Sequence, residues 1–375
     1  MNQQEVISAI ALSRVSYLSL PAMNELFRRA GSATEIVSHA SHIRDLLPDA
    51  SEKLVAAFSD ISEPLRWAEA EYARDVALGI ELLVFCDERY PQRLRECPDA
   101  PPVLFYKGSA DLNQLRVVSI VGTRHATAYG QDLIRRFMAE LRALCPQVLV
   151  VSGLAYGVDI CAHREALANG YETVGVLAHG LDELYPPRHR QTADEMLQRG
   201  GLLTEYTTHA HVDKGNFVRR NRIVAGVADA TVLVESAARG GGLITTRIAR
   251  EYNRDVFAFP GAVGAPYSEG CNNLIRDNGA ALVTSARDFV AAMGWMADAE
   301  LAEAQDKGIE RQLFPELTAE EQRVVAVLQR QNDLQLNIIV VQTGIAVGRL
   351  SAILFGLEMK GVVRTMAGGT YHLLG

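Results

Sequence analysis

The chain has 375 residues, 48% of them apolar, which is enough for two or three domains around a large core. Its formal net charge of −8 excludes a protein that is basic overall, so any site for a polyanion has to be a local basic patch. The cysteines (Cys86, Cys97, Cys145, Cys161 and Cys271) stand singly and read as buried thiols of a reducing compartment; with only His209-x-His211 beside them, no metal site and no disulfide framework are expected.

The opening MNQQEVISAI has no basic segment followed by an apolar core, and no run of about 18 apolar residues follows, so a cytoplasmic protein without a membrane span is expected. Apolar positions then recur at helical spacing: Ile7, Ile10, Ala11 and Leu12; Leu26 and Phe27; Ile43, Leu46 and Leu47; Leu54, Val55 and Phe58. Turn signals at Pro21, Gly31 and Pro48 divide them. This pattern predicts a small helical module over 1–72.

A larger domain over 73–296 begins where the texture turns β-branched, at Ile80–Phe85 and Val103–Tyr106. Seven short apolar runs follow: Val117–Val121, Val148–Val151, Thr173–Leu177, Leu202–Thr204, Thr231–Val234, Val256–Phe259 and Ala281–Val283. Helical stretches separate most of them, the pattern of an α/β fold with a parallel sheet and crossover helices. Such sheets bind ligands beyond the carboxyl ends of their strands. An acidic stretch over 297–316, relieved only by Lys307 and Arg311, reads as a solvated linker. Over 317–375, a Thr318-x-x-Glu321 capping box opens a helix Ala319–Arg330, followed by helices around Leu336–Gln342 and Val347–Met359 and a hairpin of Val362–Met366 and Thr370–Leu374. Three helices and a hairpin predict a winged helix.

The loops after the strands carry the chemistry. Gly122-Thr123-Arg124 follows the first strongly apolar strand: the glycine permits close backbone approach, the threonine and amides donate, and the arginine offers a fork to a phosphate. A structural turn in which Arg124 pairs with a carboxylate is the alternative. Ser152-Gly153 leaves the next strand, but no G-x-S-x-G elbow, G-x-G-x-x-G or Walker loop is present, which disfavours a catalytic serine, a dinucleotide cofactor and ATP hydrolysis. Lys214-Gly215-Asn216-Phe217-Val218-Arg219-Arg220-Asn221-Arg222 surrounds one aromatic residue with four cations, the composition of a groove that tracks a backbone and stacks a base. Eight basic residues face four acidic ones over 211–254, although a solvated helix face with a core phenylalanine has the same composition. Arg219 and Arg220, adjacent in sequence, cannot share one helix face. Gly240-Gly241-Gly242 precedes another helix and exposes amides suited to phosphate.

These motifs, in this order, resemble the DNA-processing protein A family (DprA or Smf): Gly122-Thr123-Arg124, Ser152-Gly153-Leu154-Ala155, His163, Gly180-Leu181-Asp182 with Tyr185-Pro186-Pro187, Asn216-Phe217, Arg220-Asn221-Arg222, Gly240, Phe259-Pro260-Gly261 and Gly270-Cys271-Asn272. The resemblance implies an extended Rossmann-like fold that homodimerises, binds single-stranded DNA without enzymatic activity and hands it to the RecA recombinase during natural transformation. It implies Arg124 in a phosphate loop, Lys214 on the backbone, Phe217 against a base and Arg222 in the pocket wall, with no cofactor. The chain departs from the family pattern at Tyr156, where a basic residue is common, and at Val218, where proline is usual. Leu47-Pro48-Asp49-Ala50 lacks the glycine pair of a helix-hairpin-helix. A nucleotide-cleaving or nucleotide-sensing protein of the lysine-decarboxylase-like type is the alternative; there the glutamate follows the glycines, whereas Glu235 precedes them.

Overall fold

The computed structural model describes residues 2–210, 212–295, 317–366 and 370–374. The linker over 297–316, the hairpin turn over 367–369 and His211 lie outside the described residues. The chain separates into two compact units, 1–298 and 299–375.

The first unit opens with α1 (Gln3–Leu12), α2 (Leu20–Ala30), α3 (Ala33–Ser38), α4 (Glu52–Ser59) and α5 (Ser62–Ala77). Asn2, Ser19, Ser32 and Ser51 each accept an amide of the first turn they precede, so four of these helices start on a side-chain cap. Hydropathy does not mark α5, the longest of them. Its buried residues are Pro64, Ala68, Glu71 and Asp75, two of them carboxylates, so no apolar stripe is visible. The helices share one hydrophobic core with the first two strands, β1 (Glu81–Val84) and β2 (Val103–Gly108), and Phe27 meets Phe85 with ring centroids 5.2 Å apart.

Seven more strands complete the sheet: β3 (Val117–Val121), β4 (Leu149–Ser152), β5 (Thr173–Val176), β6 (Gly200–Thr204), β7 (Ala230–Leu233), β8 (Asp255–Ala258) and β9 (Ala281–Leu282). Their spatial order is β1-β2-β6-β5-β4-β3-β7-β8-β9. β1 and β2, and β2 and β6, pair antiparallel, and every other neighbour is parallel. The crossover helices α7 (Ala128–Leu144), α8 (Val158–Ala168), α10 (Lys214–Gly226) and α11 (Gly242–Glu251) cover the faces, after a short α6 (Gln92–Arg95) and with α9 (Arg190–Gln198) between β5 and β6. The expected α/β architecture is therefore present, and each predicted run is a strand of one sheet. The cysteines are not uniformly buried: Cys86 is exposed and donates to Glu5, and Cys161 is half-buried.

The second unit forms the expected winged helix, with helices Ala319–Arg330, Leu336–Thr343 and Val347–Met359 and a three-stranded sheet. The Thr318–Glu321 capping box forms in both directions. Arg349 pairs with Glu320 and Lys360 with Glu321, while Val347, Phe355 and Met359 stand exposed. The third helix thus presents an apolar outer face rather than a basic one. No single helix among the described residues is long and apolar enough to cross a membrane.

Asp75 is fully buried on α5, and neither of its carboxylate oxygens has a hydrogen-bond partner among the described residues. Burial and the neighbouring Glu71 push its pKa from 3.8 up to about 7, against the pull of Arg74, with Asp182 adding to the rise. A carboxyl raised by folding stabilises the fold below its ordinary pKa, and that stabilisation is lost as pH climbs through the folded value. Asp75→Asn is therefore expected to flatten the loss of stability between pH 4 and 7 and to be more stable than the wild type above pH 7, measured as urea midpoints across pH.

Candidate nucleic-acid interface

After β3 the chain returns through α7 to β4 on one side, whereas after β6 it crosses through α10 to β7 on the other. The connections reverse direction at the β3–β7 boundary, which opens a crevice beyond the carboxyl ends of those strands. Two loops frame it, 122–127 after β3 and 234–241 after β7. The Thr123 amide donates to the Glu235 carbonyl (2.8 Å), and the Glu235 carboxylate accepts from the Thr127 amide (2.8 Å) and hydroxyl (2.6 Å). Glycine is needed where the loops meet. A Cβ on Gly122 would sit 2.6 Å from the Val158 side chain, and one on Gly242 would sit 3.1 Å from the Gly122 Cα.

The crevice has a volume of about 290 Å³ and is lined by Gly122, Thr123, Arg124, Gly153, Asp159, Phe217, Arg220, Asn221 and Gly240 to Gly242, among others. Arg124 is exposed at the rim, and its guanidinium carbon lies 5.1 Å from the centroid of the half-buried Phe217 ring. Tyr185 meets the same ring edge-on, with centroids 5.9 Å apart. The Gly241 and Gly242 amides at the start of α11 have no hydrogen-bond partner among the described residues, and the cap carries no side-chain acceptor. The rim therefore combines open amides, a mobile-length cation and an aromatic face, which suits a phosphate with a neighbouring base.

Lys214 and Asn216 sit in the first turn of α10, outside the lining, after the capping Asp213. Lys214 and Arg219 are exposed, and Arg239, which sequence reading passed over, is exposed on the glycine loop. Three expected site residues are placed differently. Ser152 is buried and donates its hydroxyl to the Ile120 carbonyl (2.6 Å), between strands rather than into the crevice. Arg222 is not in the pocket wall: it is buried, pairs with Glu205 and donates to the Asp99 carbonyl (2.7 Å). Arg220 borders the crevice but is 3% exposed, donating to the Gly153 (2.7 Å) and Val176 carbonyls. A Cβ on Gly153 would collide with that guanidinium, so the glycine makes room for it. Arg219 and Arg220 project about 100° apart on α10, which sends the first to solvent and the second to the strands, while Arg222, about 160° from Arg220, is buried on the other side of the helix against Asp99 and Glu205.

Asp159, in the first turn of α8, is the carboxylate that the sequence reading missed. Burial pushes its carboxyl above the usual range, opposed first by Arg220 and then by the amides of Ala155 and Gly153. Its signal was the acid that opens a helix after Gly153-Leu154-Ala155-Tyr156-Gly157. His163 is buried away from the crevice, bonded to the Thr173 hydroxyl (2.7 Å), and burial lowers its pKa to about 3. It stays neutral and is not placed to act as a base there.

A mostly parallel sheet with a glycine-walled crevice at its switch point defines a Rossmann-like α/β protein. Residues 81–294 match the family described as DNA recombination-mediator protein A, and residues 310–369 match the DprA winged helix domain; the chain belongs to the DprA/Smf family. It is 35% identical to the protein Smf of Synechocystis over 316 residues, 76% of this chain and 78% of that one. With the DNA processing protein DprA of Streptococcus pneumoniae it shares 40% identity over 205 residues, 55% of this chain and 71% of the relative. The X-ray structure of the S. pneumoniae protein superposes with a TM-score of 0.64 at 31% identity, covering 77% of this chain and 98% of that one. DprA of Helicobacter pylori, whose structure is described for its single-stranded DNA binding mode, superposes with a TM-score of 0.52 at 27% identity, over 57% of this chain and 95% of that one.

The division of the arginines is open to a direct check. Arg220→Met leaves Asp159 without its compensating charge and is expected to cost roughly 3–5 kcal/mol of stability. Arg124→Ala, at an exposed position, is expected to change stability by no more than about 0.5 kcal/mol. Chemical denaturation of the two variants provides the comparison.

Proposed function

We propose that this chain binds the backbone of single-stranded DNA at the switch-point crevice, assembles as a homodimer in the cytoplasm, and loads RecA onto the strand it protects, during natural transformation, without catalysing a reaction. The observation that carries the reading is Arg124 over the half-buried Phe217 ring, at a crevice also lined by Gly241 and Gly242, whose amides have no partner among the described residues. An arginine lying on an aromatic face marks a platform of the size and polarity of a base, and the amides beside it suit the attached phosphate. Lys214 and Arg219 extend the positive rim along α10, with Asn216 and Asn221 as further donors. The DprA family membership and the single-stranded DNA described for the H. pylori relative support the same reading.

Nucleotide cleavage is the less favoured alternative. Glu235, the carboxylate such a reaction would use, is turned onto Thr127 and does not line the crevice. Asp159 does line it, but the lining holds no histidine or cysteine to serve as its partner.

Purified protein is expected to bind single strands better than duplex, with affinity falling at a slope of about 0.7 per phosphate contact on the logarithmic salt axis. Arg124→Ala and Lys214→Ala should flatten that slope for all sequences, while Phe217→Ala should cost about 1–3 kcal/mol and leave the slope nearly unchanged. Anisotropy titrations at several salt concentrations check this; equal affinity for duplex with a flat salt response would overturn it.

Assembly and the absence of catalysis make a further expectation. Two crevices joined by dimerisation raise affinity through effective concentration. Oligonucleotides long enough to span both should bind more tightly than short ones, and a monomeric variant should lose that length dependence while keeping its fold. The DNA should be recovered intact after long incubation with magnesium.

A further inference from the structure

We infer that a second cleft, on the far side of the β7 loop from the crevice, is a nucleobase subsite that prefers bases carrying an exocyclic amino group over thymine. The inference rests on the single-strand reading above and adds base selectivity to it.

The cleft has a volume of about 420 Å³. Its walls are the rings of Tyr129 and Tyr267, the prolines Pro260 and Pro266, and Ala265, with Glu235 among the lining residues. Tyr129 donates its hydroxyl to the Pro260 carbonyl (2.7 Å), which fixes one wall. Flat apolar walls with a single charged group describe a slot for a planar ring held at one polar edge.

Glu235 supplies that edge. It is 3% exposed, and among the described residues it forms no ion pair. Its carboxylate accepts two hydrogen bonds, both from Thr127. A carboxylate offers about four acceptor directions, so roughly two remain. A buried anion with acceptor capacity to spare and no cation beside it favours N–H donors and rejects carbonyls. Guanine presents N1–H and its 2-amino group side by side, and cytosine and adenine each present an amino group. Thymine presents one N–H between two carbonyl oxygens, which the carboxylate would repel.

The cleft lies on the path of the same strand. Thr123 and Arg124 border the crevice and Thr127 borders the second cleft. Four peptide steps separate Thr123 from Thr127, at most about 14 Å. Between them the exposed His125 stacks, with centroids 6.2 Å apart, on Tyr267, which lines the second cleft. A strand with a phosphate on the glycine loop therefore reaches the slot within a few nucleotides.

The test measures binding of the full chain to oligo(dT) and to oligo(dT) carrying one guanine, cytosine or adenine at successive positions. One placement of an amino-bearing base is expected to tighten binding roughly tenfold, the effect of one good polar base contact. Ala265→Phe fills the slot while keeping the Glu235 carboxylate and its Thr127 bonds, and should abolish the preference while leaving oligo(dT) affinity and its salt slope intact. Glu235→Gln exchanges an acceptor for a donor and should shift the preference toward thymine. If Glu235→Gln fails to fold because it loosens the Thr127 tie, the Ala265→Phe comparison still decides the matter. Equal affinity for every base at every position overturns the subsite and leaves the single-strand reading standing; failure to bind any single strand removes that reading itself.

Discussion

Glu235 ties the two halves of the sheet's switch point together: its carbonyl holds the Thr123 amide, and its carboxylate holds the amide and hydroxyl of Thr127. The loop after β7 is thereby fixed to the loop after β3 at both ends of the latter. Thr127 in turn accepts the Gly130 amide, so the same network caps α7. The first turns of α7 and α11, the glycine contact at Gly122 and Gly242, and the position of Arg124 over Phe217 all rest on the frame these bonds define. A buried carboxylate held by a backbone amide and a hydroxyl, rather than by a cation, fixes the frame without placing a competing positive charge beside the crevice.

Positive charge is organised in two layers. Arg220 and Arg222 lie inside, where they donate to carbonyls and Arg222 pairs with Glu205, and they secure α10 against the strands and against Asp99. Arg124, Lys214, Arg219 and Arg239 lie outside, facing solvent. The inner layer sets the shape of the floor and the outer layer sets its field, so an acidic chain still offers a local surface for a polyanion.

Much of this was legible in the sequence. The strands were, because each belongs to a short apolar run between turn signals, and so was the capping box of the winged helix, because its partners are three residues apart. Helix α5 was not, because it buries Glu71 and Asp75 where an apolar stripe would be expected. The glycine loops and the cation cluster stood out by composition, but the inward turn of Arg220 and Arg222 depends on partners outside the helix, over 40 residues away at Gly153, Val176 and Asp99 and 17 residues away at Glu205. The role of Glu235 was hidden for the same reason, since Thr127 precedes it by 108 residues.

The shared core of α1–α5 with β1 and β2 bears on how the chain acquires its structure as it is synthesised. Glu71 meets its partner Thr208 only after 137 further residues have been added, and β2 has no inner neighbour until β6 is made. The amino-terminal helices are made before the inner strands, yet the buried Glu71 and one sheet edge stay incomplete until β6 and Thr208 have been added. Contacts this distant in sequence slow folding and prolong the exposure of apolar surface. The helical segment, made before the sheet it packs on, is therefore among the last to be locked, and a nascent chain stalled before β6 is the species most dependent on chaperones.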